Sequence, residues 1–247
     1  MKKLLMSAFF ITASLYCFSQ KTDFSGNECK IKVDSIYQHC NNKKAQSEVL
    51  KLCLSNPNNA TSLKNLYFLK RNIKKEQLKR TLNSLNETNK SDIHAQSLNI
   101  YINTRQVIKG DQYFDFSATT SENENFLLSD VLKEKDVLLI FGGISCMGKS
   151  SRQELRELYG KLDLNKVEVV SFLDVEKEDV LKEQIKKYDV NWVAISDYKG
   201  VLSNPWLAYV GKGVPTTVYI NMKGEILVSR PGLVNKAIKL LKNHVKV

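Results

Sequence analysis

The chain has 247 residues, 43% of them hydrophobic, with five cysteines and a formal net charge of +11. That length is enough for one or two domains with a real core. There is no internal repeat and no low-complexity linker, and past the N-terminus no run is long and apolar enough to cross a membrane.

Residues 1–19, MKKLLMSAFFITASLYCFS, read as a secretory signal. Lys2 and Lys3 form its positive end, an apolar run follows, and Cys17 and Ser19 are small enough for the cleavage positions, so the mature chain is expected to start at Gln20. A lipoprotein reading at Cys17 meets the bulky Tyr16, and an uncleaved anchor meets a run that is short for a span. The expected location is therefore outside the cytosol, in a bacterial periplasm or cell envelope, where disulfides persist and ATP is expected to be scarce.

Residues 20–107 read as a small helical module. Val33, Ile36, Tyr37 and Cys40 make one apolar stripe, and Ala45, Val49, Leu52 and Cys53 a second. Leu63, Leu66 and Tyr67 make a third, and Leu78, Leu82 and Leu85 a fourth. Leu98, Tyr101 and Ile102 mark a last helix that Ser91 is placed to cap. Breaks fall at Asn41-Asn42 and at Asn56-Pro57-Asn58-Asn59. Residues 20–109 carry the whole mature charge excess, with 16 Lys/Arg against 7 Asp/Glu, densest in LKRNIKKEQLKR, Leu69 to Arg80. A charge run is most often a solvated helix face, and its sharper reading is a surface for an acidic partner or anionic lipid headgroups. Nucleic acid is not expected, because no aromatic residues interleave the basic stretch and the chain reads as exported.

From Gly110 the pattern changes to alternating strands and helices. Val137–Phe141 and Val167–Leu173 are buried-strand runs, each followed by a helical stripe: Leu155, Leu158, Tyr159 and Leu162, then Leu181, Ile185 and Tyr188. Thr216–Ile220 and Glu225–Ser229 lie too close, across Asn221-Met222-Lys223-Gly224, for anything but an antiparallel hairpin. A final helix carries Val234, Ala237, Ile238, Leu241 and Val245. The order is βαβα followed by ββα, an α/β class with a mixed sheet over residues 108–247.

One stretch admits two readings. Gly143-Ile-Ser-Cys-Met-Gly148-Lys149-Ser150 satisfies the phosphate-loop pattern, and Val169 to Asp174 imitates the strand and aspartate that would accompany it. That loop needs parallel strands joined by helical crossovers, and the terminal hairpin occupies the room they would take. Phosphate binding is thus the weakest function.

The element order and several local motifs resemble the TlpA/ResA-like, redoxin (AhpC/TSA-related) branch of the thioredoxin superfamily, over about Lys109 to Gly232. Gly110-Asp111-Gln112-Tyr113-Phe114-Asp115-Phe116 looks like the family's G-D-x-x-P-D-F, with Phe114 in place of proline. Leu128-Ser129-Asp130, Phe172-Leu173-Asp174 and Asp197-Tyr198-Lys199-Gly200 look like three further landmarks. Tyr209 to Thr217, YVGKGVPTT, is similar to Y-x-V-x-G-[IV]-P-T-T, and Asn221 to Ile226 resembles the hairpin that follows it.

The resemblance implies a thioredoxin-like fold, no cofactor, and a redox site that this chain has altered. Aligned from the strand, Cys146 takes the first cysteine of Cys-x-x-Cys and Lys149 replaces the second. Aligned from the helix, the cysteine positions fall on Gly148 and Ser151, with Cys146 just upstream. Neither register yields a dithiol. A helix N-terminus and a nearby Lys149 both favour thiolate, so Cys146 is a candidate nucleophile, against the alternative of a small apolar loop residue. The helix register matches Glu154 to the family glutamate that assists proton movement, against a plain solvated residue. The resemblance further implies a cis Val214–Pro215 bond, with the Val214 backbone pairing to a substrate peptide.

Two functions stay open: monothiol exchange at Cys146 with thiols of envelope proteins, or a non-catalytic peptide- or protein-binding module using the Val214–Pro215 groove. Cys29 and Cys53 are expected to form a disulfide if Asn41-Asn42 turns a helical hairpin, although Cys40 leaves other pairings open. His39, His94 and His244 are scattered, so no metal site is expected.

Overall fold

The structure is a computed structural model, and it describes residues 25–142, 144–211, 213–233 and 235–246. The predicted signal, its cleavage before Gln20 and Val234 lie outside the described residues.

The N-terminal half is helical, as the stripes require. Helix α1 (Gly26–His39) opens on a capping box: Ser25 Oγ accepts from Glu28 N, and the Glu28 carboxylate accepts from Ser25 N at 2.8 Å. Asn41 caps α2 (Asn42–Ser55) and Asn59 caps α3 (Ala60–Leu69), each accepting a backbone N–H of the first turn. A short 3-10 turn (Lys70–Asn72) leads to α4 (Lys75–Asn83), α5 (Glu87–Lys90) and α6 (Ile93–Asn103). The cap of α6 is Asp92 rather than Ser91: its Oδ1 accepts from His94 N at 2.8 Å, while Ser91 Oγ bonds back to Thr88 O. The first stripe is also narrower than expected. Cys29 and Val33 are buried, whereas Tyr37 is 44% exposed and Cys40 half-buried.

Strands β1 (Ser117–Thr120) and β2 (Asn125–Leu127) form a hairpin that the sequence reading passed over, since SATT is short and polar. Helix α7 (Leu128–Leu132), β3 (Asp136–Phe141), α8 (Lys149–Tyr159), β4 (Val167–Phe172), α9 (Glu178–Tyr188), β5 (Val193–Ser196), α10 (Asn204–Tyr209), β6 (Thr216–Ile220), β7 (Ile226–Pro231) and α11 (Asn235–Lys242) follow. Leu162 and Val245 fall outside their predicted helices and instead face each other in an isolated antiparallel bridge.

The sheet runs β2-β1-β5-β4-β3-β6-β7. Strands β3, β4 and β5 are parallel, β6 is antiparallel to β3, and β6–β7 is the predicted hairpin. With an antiparallel neighbour on β3, this is the thioredoxin-like fold and not a phosphate-loop sheet. Alternation along β3 sends Leu138 and Ile140 to a core under α8 and α11, and Val137, Leu139 and Phe141 to the other face. That second core is continuous with the helical module, running from Cys29, Leu63 and Tyr101 to Phe141, Phe172 and Tyr209. The helices are thus one wall of the domain's own interior.

Arg71 ties the two halves together. Its Nη2 donates to the carbonyls of Leu207 (3.2 Å), Ala208 (3.4 Å) and Val210 (2.6 Å). These include carbonyls at the C-terminal end of α10, which a helix leaves without internal partners. Ser97 Oγ donates to Val201 O at 2.6 Å, and Val107 N to Ala208 O at 3.1 Å. The basic run Leu69–Arg80 is therefore not one solvated face: Lys70 is buried and Arg71 is docked, while Lys74, Lys79 and Arg80 remain exposed.

Candidate active site at Cys146

Beyond Phe141 the chain leaves the sheet at Gly142, whose φ is +85°. A Cβ there would stand 2.6 Å from Val214 Cγ1 and 3.1 Å from the Trp206 ring, so this position requires glycine both for its backbone and for its space. A 3-10 turn (Ile144–Cys146) follows, and Gly148 then caps α8. Ile144 is buried against Leu173 and Leu181, and Met147 against the α8 core, so the loop is pinned on both sides of Ser145 and Cys146. Arg152 Nη1 cinches it by donating to the carbonyls of Ile144 and Met147. Cys146 is left exposed.

Cys146 opens on a cavity of about 500 Å³. One wall is Gly142, Ser145 and Cys146, and the facing wall is Trp206, Val210 and Val214. The Val214–Pro215 peptide is cis, with Val214 45% exposed and Pro215 buried, and Pro215 O accepts from Gly232 N at 2.6 Å. Leu173, Asp174 and Gln184 line another side. The helical module supplies Tyr67, Phe68 and Lys70, which turn a surface groove into a bounded hollow. A second hollow of about 470 Å³, along Leu82 to Ile100, contains no cysteine.

The electrostatics of the cavity come largely from Lys70. It is 8% exposed, its Nζ donates to Tyr67 O at 3.1 Å, and it sits 3.7 Å over the Tyr67 ring. Burial first, and the Arg71 charge second, push its ammonium down to about 7. Burial likewise pushes Asp174 upward, although its carboxylate opens to the cavity. Burial and then the Asp174 charge raise Tyr67 to about 12. Gln184 Oε1 is buried without a hydrogen-bond partner.

The Lys70 shift predicts a pH-dependent stability. Between the folded value of about 7 and the ordinary 10.5, the unfolded chain holds a proton that the folded chain lacks, so stability rises with pH across that window. Below it the full cost of burying the ammonium applies. Lys70→Met is therefore expected to raise stability at pH 6, on the order of a few kcal/mol at about 1.4 kcal/mol per pKa unit. The gain should shrink toward pH 10, and thermal melts at both values test it; an equal gain at both would refute the assignment.

The structure brings Cys146, Val214 and Pro215 to one place. It does not bring Glu154 there: that residue is exposed on α8 and does not line the cavity. Lys149 is also exposed, at the first residue of α8. Cys29 and Cys53 lie buried and unbonded in the helical core, with Cys29 Sγ 3.3 Å from Ser62 Oγ and Cys53 beside both. Neither they nor Cys40 line the cavity. Tyr67, Lys70, Gln184 and Trp206 were not legible as site residues, because their placement depends on how α3, α9 and α10 dock. Asp174 carried a signal only as the residue that ends an apolar strand. Among the described residues no group of three His, Cys, Asp or Glu side chains is placed to hold a metal, and no helix is long and apolar enough to cross a membrane.

No curated protein matches the chain. Solved structures similar to it include the thioredoxin domain of a thiol-disulfide oxidoreductase from Bacteroides vulgatus, 15% identical, covering 57% of this chain and 100% of that one with a TM-score of 0.49. A thiol-disulfide oxidoreductase from Bacteroides fragilis is 21% identical over 54% of this chain and 98% of that one, with a TM-score of 0.46. Peroxidoxin BcpB from Mycobacterium tuberculosis is 16% identical over 57% and 100%, with a TM-score of 0.45. The AhpC/TSA family model matches residues 109–229, the part of the chain that carries Cys146 and the cis Val214–Pro215 bond, so this part is similar to the AhpC/TSA family.

Proposed function

We propose that this protein is an exported single-thiol redoxin in which Cys146 forms and releases mixed disulfides inside the cavity. The observation that carries the reading is the loop: buried Ile144 and Met147 hold exposed Cys146 against the hollow that Val214 and Trp206 wall. The thiolate attacks one sulfur of a disulfide, the S–S bond breaks, and the departing half leaves as a thiolate. Release needs a thiol from outside, because no other described cysteine lines the cavity. Thiols of envelope proteins fit the setting, carried on a segment extended along Val214.

Intact-mass measurement after exposure to disulfides tests this. One adduct per chain is expected, lost in Cys146→Ser. An inert Cys146 with retained peptide binding favours the second reading, a binding module at Val214–Pro215, which the placement of Glu154 outside the cavity supports. Export rests on residues 1–19, and recovery of the intact Met1 terminus from the cell envelope would overturn it. The exposed Lys74, Lys79 and Arg80 remain available to an acidic partner or anionic lipid surface.

In an oxidising compartment we further propose that Cys29 and Cys53 join. They are already neighbours, and burial, then Cys29, pushes Cys53 up to about 12, so reduced Cys53 stays unionised at neutral pH and is a poor resolver for Cys146. Closing about two dozen residues adds roughly 3 kcal/mol by the chain-entropy model. Non-reducing peptide mapping of the exported protein should find the linked peptides. Full alkylation of both thiols in denatured, unreduced protein would rule the bridge out.

A further inference from the structure

The cavity holds more polar chemistry than a thiol site requires. An ammonium carries three donors, yet buried Lys70 has one hydrogen-bond acceptor, the Tyr67 carbonyl at 3.1 Å. Among the described residues no carboxylate is placed to neutralise it. On the same hollow, Gln184 Oε1 is a buried acceptor without a donor, and Asp174 presents a carboxyl. The hollow thus contains an unneutralised cation, one buried acceptor without a donor, the Asp174 carboxyl, an apolar wall at Trp206 and Val214, and a thiol. A buried cation without a counter-ion costs stability, and so does a buried acceptor without a donor. A ligand that relieves all of these carries an anion, a cationic N–H donor and sulfur.

Size agrees. About 500 Å³ suits a small metabolite, and Tyr67, Phe68 and Lys70 line the hollow together with Cys146. We infer that the cavity takes small zwitterionic disulfides of the amino-acid class: the carboxylate meets Lys70, the ammonium meets Asp174 and Gln184, and a sulfur meets Cys146. This rests on the single-thiol reading above. In the step, the Cys146 thiolate bonds to one sulfur of the ligand, the ligand's S–S bond breaks, and the second amino-acid thiol leaves with the electron pair and takes a proton from water. One disulfide replaces another, so no further oxidant or reductant enters.

Four disulfides separate the contributions: cystine, cystamine (no carboxylate), dithiodipropionate (no ammonium) and bis(2-hydroxyethyl) disulfide (neither). Adduct formation on the full mature chain is followed by intact mass, each rate divided by that of an unstructured cysteine peptide. Cystine is expected to exceed bis(2-hydroxyethyl) disulfide by about tenfold or more, the effect of one charged hydrogen bond. Lys70→Met, which the stability argument expects to fold well, should bring the cystine-to-cystamine ratio to about one, since the carboxylate contact is gone. Asp174→Asn should instead bring the cystine-to-dithiodipropionate ratio down. Equal normalised rates for all four in the parent protein would overturn the inference while leaving Cys146 a reactive thiol. The absence of any adduct would overturn the single-thiol reading itself, and the inference with it.

Discussion

A Lys149→Cys variant should turn this protein from a thiol trap into a disulfide reductase. Cys146 ends the 3-10 turn, and Lys149 is the first residue of α8, exposed and three positions on. In the parent chain a mixed disulfide on Cys146 waits for a thiol from solution. A thiol at position 149 attacks the same bond intramolecularly, and even a modest effective concentration outcompetes dilute external thiols. Turnover with a dithiol donor is expected to be weak or absent in the parent and to rise by at least about tenfold in the variant, equivalent to about 1.4 kcal/mol of barrier. The parent's weak activity has its own control: efficient turnover that survives Cys29→Ser, Cys40→Ser and Cys53→Ser together would contradict the single-thiol reading. The variant also decides the alignment register. If the helix-anchored register is correct, Lys149→Cys gains nothing, and the paired substitutions Gly148→Cys and Ser151→Cys gain turnover instead.

Arg71→Met should be the most damaging single substitution between the two halves. The guanidinium Nη2 donates to three carbonyls around the end of α10, the closest at 2.6 Å; without it Ala208 O keeps Val107 N, while Leu207 O and Val210 O lose this donor. Hydrogen bonds from a charged donor contribute about 1.5–3 kcal/mol each, and stranded acceptors add their desolvation cost. Against this stands the cost of keeping Arg71 itself desolvated, which already lowers its pKa and leaves its Nε without a partner. The net expectation is a loss of roughly 2–4 kcal/mol, or about 4–16 °C in melting temperature for a chain this size. Because Val210 and Trp206 wall the cavity, the adduct rate at Cys146 should fall as well. A melting temperature within about one degree of the parent would show that the halves are held by their apolar core alone.

The helical module shows how far local pattern reaches. Its stripes located α1 to α4 and α6 because a 3.6-residue period is written into the order of apolar residues. The same reading placed the cap of α6 one residue early, since Ser91 and Asp92 are both good caps and only the backbone decides which oxygen faces the free N–H groups. It also read Leu69–Arg80 as one solvated face. Charge favours water unless something inside needs it, and what needs Arg71 is a helix end more than 130 residues away in sequence.

The sequence by itself determined the class of this protein. The run VLLIF, the hairpin spacing and YVGKGVPTT sufficed for a thioredoxin-like sheet, and the missing second cysteine was visible by inspection. These are local properties: period, turn chemistry and residue identity over a few positions. Only the tertiary structure decided what Cys146 faces. Glu154, three residues from Ser151 in a matching motif, points to solvent, whereas Lys70 and Tyr67, some seventy residues upstream, close the cavity. A groove's walls come from segments packed by a shared core, and packing selects partners by shape and burial over the whole chain. Helix α3 meets Trp206 there because Leu63, Leu66 and Tyr101 bury themselves in the same interior as Phe141 and Tyr209.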